Sequence, residues 1–255
     1  MLKEIKATNS VCCEVGDYRH TNQDDVLARW GKNGDFAVGM YVVADGCGGM
    51  AYGQKVSRLI IDSFSAIWDN ELPKLFQMYN NPKDHIYETF SMWIEQINAV
   101  AFSFQQQIGE KIGSTLTLLL TIDLDYFIFN VGDSRAYQYR GGELLQLTED
   151  QSLLADMIRN GEIEAKNAVK HIERNILTMC VGGFEKLQSY FISGTICAGD
   201  IFMLCSDGLH GALGEDELCS VIPKEITEKS AEELRRKIPY GRAHDNVSVI
   251  LVQIQ

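Results

Sequence analysis

Four aspartates stand where apolar runs of this sequence end or begin. Asp45, Asp133 and Asp207 each follow a short apolar run, and Asp245 lies just before one. A single aspartate at such a place is usually a turn former or a helix cap. Four of them, on runs without other charge, predict a cluster of carboxylates that repel one another unless cations neutralise them. Oxygen ligands favour hard ions, so the pattern indicates Mg²⁺, Mn²⁺ or Ca²⁺ rather than Zn²⁺.

Glycines follow the first of these aspartates, in the segment DGCGG at 45–49. Glycine allows a sharp turn and a close approach of the backbone to a ligand, so the carbonyl of Gly46 could face a metal beside Asp45. A plain tight turn explains the same segment and stays open at this point. The segment lacks the Gly-Lys-Ser/Thr ending of a P-loop.

A dense polar patch lies near the N-terminus, in RHTNQDD at 19–25. Arg19 suits bidentate capture of a phosphate group, and Asp24 could order water on a metal ion. Taken alone, such a patch is more often a solvated loop.

Short β-like runs and amphipathic helices must position these residues. Apolar residues at helical spacing predict helices over about 53–69 and 85–108, with a connection over 71–84. Ser230 and Glu233 form a capping-box pattern, which predicts a last helix over 230–238. The polar stretch 151–170 has weak helical periodicity and is expected to be an excursion.

Strands are expected at several apolar or alternating runs, and Gly141-Gly142 is a predicted hairpin turn. An early strand pattern surrounds Cys12-Cys13, and the other runs are 36–44, 114–122, 126–131, 136–140, 143–147, 187–196, 201–205 and 247–254. Short connections favour antiparallel pairing, and helices that come in blocks favour an α+β organisation. No linker composition divides the 255 residues, so one domain is expected.

The composition argues against several classes of function. The net charge is −12 and the sequence pI about 4.9, which disfavours a nucleic-acid-binding face. No apolar run approaches the length of a membrane span, and the N-terminus lacks a signal-peptide core. The seven cysteines are odd in number and contain no C-x-x-C pair, which favours a reducing compartment. We therefore expect a cytoplasmic protein with no nucleic-acid or membrane partner.

Taken in order, the motifs resemble those of the PPM-type (type 2C) metal-dependent serine/threonine protein phosphatases, in their bacterial branch. The matching segments are RHTNQD at 19–24, DGCGG at 45–49, GST at 113–115, NVGDSR at 130–135, LTEDQS at 147–152, SDGL at 206–209 and DN at 245–246. Each motif alone is a weak signal. Their joint occurrence in family order across nearly the whole chain is highly specific.

The resemblance implies a fold of two packed antiparallel β-sheets flanked by α-helices on both sides, with a variable flap at about 151–175. It also implies two Mn²⁺ or Mg²⁺ ions bridged by Asp45. Asp207 and Asp245 would complete one site, and the Gly46 carbonyl and Asp24 would belong to the other.

Two further roles follow from the resemblance alone. Asp133 and Asp207 match a third, weaker metal site of bacterial relatives, and Arg19 matches the residue that holds the substrate phosphate. The implied reaction is direct attack of a metal-bridging water or hydroxide on the phosphorus of phosphoserine or phosphothreonine, with Arg19, Asp45 and Asp207 as catalytic residues.

The sequence departs from the family pattern at two positions. Cys47 stands where relatives carry His or Met, so it receives no general-acid role. It is taken as the only thiol near the site and lacks the arginine-rich loop of a cysteine phosphatase, which disfavours a cysteine nucleophile. Gln151 replaces a histidine and is expected to perturb flap packing rather than metal binding.

The expected substrates are phosphorylated proteins, with a cognate Ser/Thr kinase as the opposing enzyme and a monomer as the active form. Two other functions stay open from the sequence. One is a binding or regulatory module without turnover, which the complete set of carboxylates disfavours. The other is a metal-dependent phosphoesterase that acts on small molecules or nucleotides.

Overall fold

The computed structural model describes residues 5–48, 52–164 and 176–255. The strands, in chain order, are β1 (Ala7–Glu14), β2 (Asp24–Asn33), β3 (Phe36–Gly48), β4 (Ile112–Ser114), β5 (Leu116–Ile122), β6 (Asp125–Val131), β7 (Arg135–Arg140), β8 (Glu143–Gln146), β9 (Tyr190–Thr195), β10 (Ile201–Cys205) and β11 (Val247–Ile254). Every run predicted as a strand contains one. The sequence did not predict β2, because its residues mix polar and apolar types without alternation.

The helices occur in blocks, as the sequence predicted. They are α1 (Gly53–Ala66), α2 (Leu72–Met78), α3 (Ile86–Ile108), α4 (Leu153–Arg159), α5 (Asp207–His210), α6 (Glu215–Val221) and α7 (Ser230–Arg235). A π-helical turn (Ile67–Glu71) joins α1 to α2, and a 3₁₀ turn (Pro82–His85) precedes α3. None of the described helices combines the length and apolarity that a membrane crossing requires.

Two antiparallel sheets make up the centre of the fold. The strand order is β1-β11-β10-β7-β8 in one sheet and β2-β3-β5-β6-β9 in the other, with β4 paired to the end of β3. The turn between β7 and β8 contains Gly141 and Gly142, both with positive φ, which confirms the predicted hairpin.

Alternation along the central strands builds three apolar layers. In β3, Tyr41 and Val43 face the core between the sheets, whereas Val42 packs beneath α1 and α3. In β10, Phe202 faces the same inter-sheet core, and Met203 faces a third cluster covered by α5, α6 and α7. The result is the expected α+β sandwich, with helices outside both sheets.

Two local predictions were wrong. The connection expected over 71–84 contains α2, because Leu72 and Leu75 are buried and Pro73 occupies the first turn, where its missing N–H costs nothing. The capping box at Ser230 does not form, since Ser230 is already helical and its hydroxyl accepts from the Thr227 N–H at 2.9 Å. The free helix N–H of Ala231 is instead satisfied by the hydroxyl of Ser10 in β1, at 2.9 Å.

Candidate active site

Strand register places two of the predicted aspartates side by side. Asp24, the first residue of β2, pairs with Asp45 near the end of β3. The Asp24 side chain is buried, and its Oδ2 accepts a hydrogen bond from the hydroxyl of Ser206 at 2.8 Å. Because Ser206 follows a strand of the other sheet, this bond joins the two sheets at their common end.

The other sheet brings Asp207 and Asp245 to the same place. The Ser206 N–H donates to the carbonyl of Ser248 at 3.1 Å, so the end of β10 lies against the start of β11. A β-carbon added to Gly208 would overlap the carbonyl oxygen of Asn246. Only glycine permits this close approach, which sets the backbone of Asp207 beside that of Asp245.

Asp133 joins the cluster from the loop between β6 and β7. The carbonyl oxygen of Asp133 lies 3.0 Å from Nε2 of His210, which is the last residue of α5. Burial lowers the pKa of His210 to about 3, so the ring is neutral at pH 7. His210 therefore supports the Asp133 loop through a hydrogen bond and carries no charge.

Burial and mutual repulsion raise the pKa values of four carboxyls in the cluster. Burial raises the pKa of Asp24 to about 6 and that of Asp133 to about 7. Burial raises the pKa of Asp45 and Asp207 well above the usual range, and neighbouring carboxylates raise both further. The side chains of Asp24 and Asp207 both lie beside that of Asp45.

Arg19 supplies a guanidinium at the open side of the cluster. Its Nη2 lies 2.6 Å from Oδ2 of Asp245, and about half of the Arg19 side chain is exposed. Asp17 connects the loop after β1, which carries Arg19, to the loop before β11, because its Oδ2 accepts from the Gly241 N–H at 2.8 Å. The N–H of Asp17 also donates to the carbonyl of Ala243 at 3.0 Å. Arg19 is thus held beside the carboxylates and faces solvent.

Sequence reasoning missed the neutral residues that support the aspartates. The Asp45 N–H donates to Oγ1 of Thr115 at 3.0 Å, and the Thr115 N–H donates to the carbonyl of Asp45 at 2.8 Å. Asn246 ties the N-terminal loop to β11, since its Oδ1 accepts from the Gln23 N–H at 2.8 Å. Both residues lie in motifs that carried the resemblance, GST and DN, which was the available signal.

Gln151 contacts the loop that carries Asp133 as well as the chain beyond the flap. Its Oε1 accepts from the Gly132 N–H at 2.9 Å, and its Nε2 donates to the carbonyl of Gln188 at 2.6 Å. The replacement of histidine by Gln151 therefore bears on the position of Asp133 and not on flap packing alone.

The description of Cys47 as the only thiol near the site is wrong. Cys180, which is far away in sequence, lies near Cys47, and the charge of Asp133 acts on both thiols. The sequence carried no signal for this contact, because no pattern links the two positions.

The donor set fits hard divalent cations. All of the clustered side chains present oxygen, the type of ligand that Mg²⁺ and Mn²⁺ prefer. Oδ1 of Asp24 and Oδ1 of Asp207 are buried and have no hydrogen-bond partner among the described residues. Buried carboxylate oxygens without partners are costly, and a cation would satisfy them.

In residues 5–48, 52–164 and 176–255, no three acidic, thiol or imidazole groups already converge as the ligands of one ion. Asp24 and Asp207 lie beside Asp45, and Asp245 pairs with Arg19.

The structure brings together the side chains of all six predicted site residues that carry one, namely Arg19, Asp24, Asp45, Asp133, Asp207 and Asp245. Gly46 is buried beside them, and its N–H donates to the carbonyl of Gln23 at 3.1 Å. Gly49 of the DGCGG segment and residues 165–175 of the flap lie outside the described residues.

Fold and site together define a two-sheet sandwich with a buried carboxylate centre at one end of both sheets. The family model for protein phosphatase 2C matches residues 18–238. The chain belongs to the protein phosphatase 2C family.

Individual relatives agree with this assignment. The chain is 29% identical over 242 residues to the serine/threonine phosphatase stp of Listeria monocytogenes, covering 93% of this chain and 92% of that protein. It superimposes on the structure of the S. agalactiae serine/threonine phosphatase with a TM-score of 0.86 at 24% identity, covering 98% and 100% of the two chains. The catalytic domain of the phosphatase PstP, solved with two manganese ions, aligns with a TM-score of 0.81 at 23% identity over 98% and 99%. At these identities the two structures show the fold.

Proposed function

We propose that this chain is a metal-dependent phosphatase that removes phosphate from phosphoserine and phosphothreonine in proteins. The observation that carries the proposal is the cluster of Asp24, Asp45, Asp133, Asp207 and Asp245 beside the half-exposed side chain of Arg19. Carboxylates gathered in this number repel one another, and bound cations would relieve that repulsion. A phosphate ester in turn has charge that cations and a guanidinium would balance.

The arrangement of the strands supports the ligand assignment that the resemblance implies. Asp45 lies between Asp24 on its own sheet and Asp207 from the other sheet, so it is the residue that two ions would share. Asp207 and Asp245 would complete one site, and Asp24 with the Gly46 carbonyl would belong to the second. Bound ions would supply a water of lowered pKa as nucleophile and would neutralise charge on the phosphoryl oxygens.

A third, weaker site would involve Asp133 with Asp207. Burial and the charge of Asp245 act on both residues, and Asp133 raises the pKa of Asp207. Gln151 and His210 hold the backbone around Asp133 from two sides, which would keep its carboxylate directed at the cluster. The proposed ions are Mn²⁺ or Mg²⁺.

Arg19 would bind the substrate phosphate by exchanging partners. In the structure its guanidinium pairs with Asp245, which is itself a proposed metal ligand. When Asp245 turns to a cation, the same guanidinium is free for a phosphate, and its planar fork matches two phosphate oxygens. This exchange would couple metal binding to the formation of the phosphate site.

The remaining proposals concern the surroundings of the site. We assign residues 1–255 to one PPM-type domain with a flap at about 151–175 that begins with α4. A cognate Ser/Thr kinase would act in opposition, and a monomer would be the active form. All seven cysteines are free thiols, which supports action in a reducing compartment such as the cytoplasm.

A substrate panel tests the proposed function. We expect Mn²⁺- or Mg²⁺-dependent release of phosphate from phosphoserine and phosphothreonine peptides, abolished by EDTA and restored by added metal. Nucleotides and sugar phosphates at equal concentration should turn over more slowly. Faster turnover of those small molecules would favour a small-molecule phosphoesterase, and tight phosphopeptide binding without release would favour a binding module.

Replacing Arg19 by alanine is expected to lower kcat/KM about 10- to 100-fold, mainly through a higher KM. The reason is the loss of charge-assisted hydrogen bonds to the phosphate, each about 1.5–3 kcal/mol. Initial rates with a phosphopeptide at saturating Mn²⁺ give both constants. Arg236→Ala is the matched control, because Arg236 is exposed on the segment after α7 and pairs with Glu232. Equal constants for Arg19→Ala and the control would remove Arg19 from the phosphate site.

A further inference from the structure

Two thiols from distant parts of the chain meet beside the carboxylate centre. Cys47 lies near the end of β3, two residues after Asp45, and Cys180 lies in the segment that returns from the flap. Their side chains are close enough to act on each other, and both cysteines are free thiols. Cys47 is partly exposed, whereas Cys180 is 9% exposed.

A glycine makes room for this contact. Gly113 in β4 is the register partner of Cys47, and residues paired across strands present their side chains on the same face. A β-carbon built on Gly113 would lie 2.6 Å from Sγ of Cys180, so that thiol occupies the space a side chain at 113 would fill. The two sulfurs therefore meet over the one position of β4 that has no side chain.

The two cysteines lie on segments with different support. Val181 exchanges two backbone hydrogen bonds with Ser114, and the amide of Asn98 in α3 binds the N–H of Gly182 and the carbonyl of Phe184. Cys180 is thus held against β4 and α3. Cys47, in contrast, belongs to the strand end that carries Asp45 and Gly46.

We propose that Cys47 and Cys180 form a reversible disulfide when a hydroperoxide oxidises them, and that this disulfide lowers metal binding and activity at the carboxylate centre. The effect on activity rests on the proposed function, whereas the disulfide itself rests on the contact between the thiols. In the reaction, a hydroperoxide oxidises one thiol to a sulfenic acid and leaves as water or an alcohol. The second thiol attacks that sulfur, the S–S bond forms, and water is released.

Closure of the disulfide would act on the aspartate two residues away. A disulfide bond is shorter than a non-bonded contact between two sulfurs, so bond formation draws the end of β3 towards the supported segment at 180–184. Asp45 and Gly46 would move with it. Displacement of a reacting group by about 1 Å can lower an enzymatic rate by about 100-fold. Dithiothreitol would reverse the change through thiol–disulfide exchange.

The experiment treats the metal-free full-length protein with hydrogen peroxide, removes the peroxide with catalase and maps the cysteines by mass spectrometry. We expect a peptide linked through Cys47 and Cys180, together with the loss of two hydrogen atoms in intact mass. Phosphopeptide hydrolysis at saturating Mn²⁺ should fall about 10- to 100-fold and recover with dithiothreitol. Calorimetry should show weaker Mn²⁺ binding to the oxidised protein.

Cys180→Ser should keep full activity before and after peroxide, and Cys197→Ser is the matched control. Cys197 is exposed between β9 and β10, so the control should respond to peroxide as the unaltered protein does. A test that needs no variant uses linkage. If the disulfide weakens metal binding, bound Mg²⁺ must shift the thiol–disulfide equilibrium in a dithiothreitol redox buffer towards the two free thiols.

Absence of the Cys47–Cys180 peptide after oxidation would overturn the proposal, and so would a linked protein with unchanged Mn²⁺ binding and activity. A reduced protein that binds Mn²⁺ but hydrolyses no phosphopeptide would instead contradict the proposed function. The peptide map, the calorimetry and the effect of Mg²⁺ on the thiol–disulfide equilibrium would still decide on the disulfide in that case.

Discussion

Asp207→Asn is expected to lower kcat/KM for a phosphopeptide by at least about 100-fold at saturating metal. Loss of residues that merely support metal ligands typically costs 10- to 100-fold, and Asp207 is a proposed ligand of two sites. Asparagine keeps the shape and one oxygen but removes the charge that would hold the cation. Steady-state rates over a range of Mn²⁺ concentrations separate weaker metal binding from a slower reaction.

The same substitution should stabilise the metal-free protein. Asp207 is repelled by Asp133, Asp245 and Asp24, and its Oδ1 is buried without a partner among the described residues. We expect the midpoint of thermal unfolding to rise by at least about 2 °C, the shift that about 1 kcal/mol produces in a chain of this size. Lower activity with higher stability excludes misfolding as the cause of the lost activity.

Asp216→Asn is the matched control for both measurements. Asp216 is exposed on α6, so the same change there should leave rate and midpoint unaltered within about 0.5 kcal/mol. Wild-type kcat/KM for Asp207→Asn at saturating Mn²⁺ would show that the cluster is not the catalytic centre.

The positions of the aspartates could be predicted because strand ends are visible in a sequence. Each apolar run that ends in Asp45, Asp133 or Asp207 became a strand in the core, and the ends of packed strands meet at one edge. The order of the motifs then supplied the family. The register that pairs Asp24 with Asp45 could not be predicted, because β2 lacks the alternation that indicates a strand.

The neutral partners could not be predicted, because they come from contacts that no local pattern encodes. The hydroxyl of Ser10 accepts from the N–H of Ala231, 221 residues away in sequence, although the sequence contains a local capping-box pattern. The contact between Cys47 and Cys180 likewise depends on how β4 pairs on both of its sides. Such contacts follow from tertiary packing, which overrides local propensity.

The carboxylate centre makes the stability of the metal-free protein depend on pH. Four buried carboxyls have pKa values above the usual range, about 6 for Asp24, about 7 for Asp133, and well raised for Asp45 and Asp207. Between about pH 4 and these values the folded state binds more protons than the unfolded chain. The stability contributed by these protons is complete below about pH 4 and is lost as pH rises through the folded pKa values.

One buried group acts in the opposite direction. Burial lowers the pKa of His210 to about 3, so the unfolded chain binds the extra proton between there and about pH 6.5. Above about pH 6.5 this histidine no longer changes the free energy of unfolding with pH, and only the effect of the carboxyls remains.

We therefore expect the metal-free protein to lose stability as the pH rises above about 6.5 and through the pKa of Asp133 at about 7. The loss should reach up to about 1.4 kcal/mol per pH unit for each proton that the two states bind differently. Saturating Mg²⁺ should abolish or reverse this loss, because cations replace the protons. Ligand at 100 times its Kd adds about 2.7 kcal/mol to the free energy of unfolding. The apparent Mg²⁺ affinity should rise about tenfold per pH unit for each proton displaced.

Urea unfolding at several pH values, with Mg²⁺ and with EDTA, measures how the free energy of unfolding changes with pH in the metal-bound and the metal-free protein. Asp207→Asn should show a shallower metal-free slope than Asp216→Asn, since one of the coupled carboxyls is gone. Metal-free stability that stays constant or rises from about pH 6.5 to pH 8.5 would mean that the buried carboxyls do not carry the protons assigned to them. Ions would then have no protons to displace at the ends of β3 and β10, and these strand ends would not form the proposed metal centre.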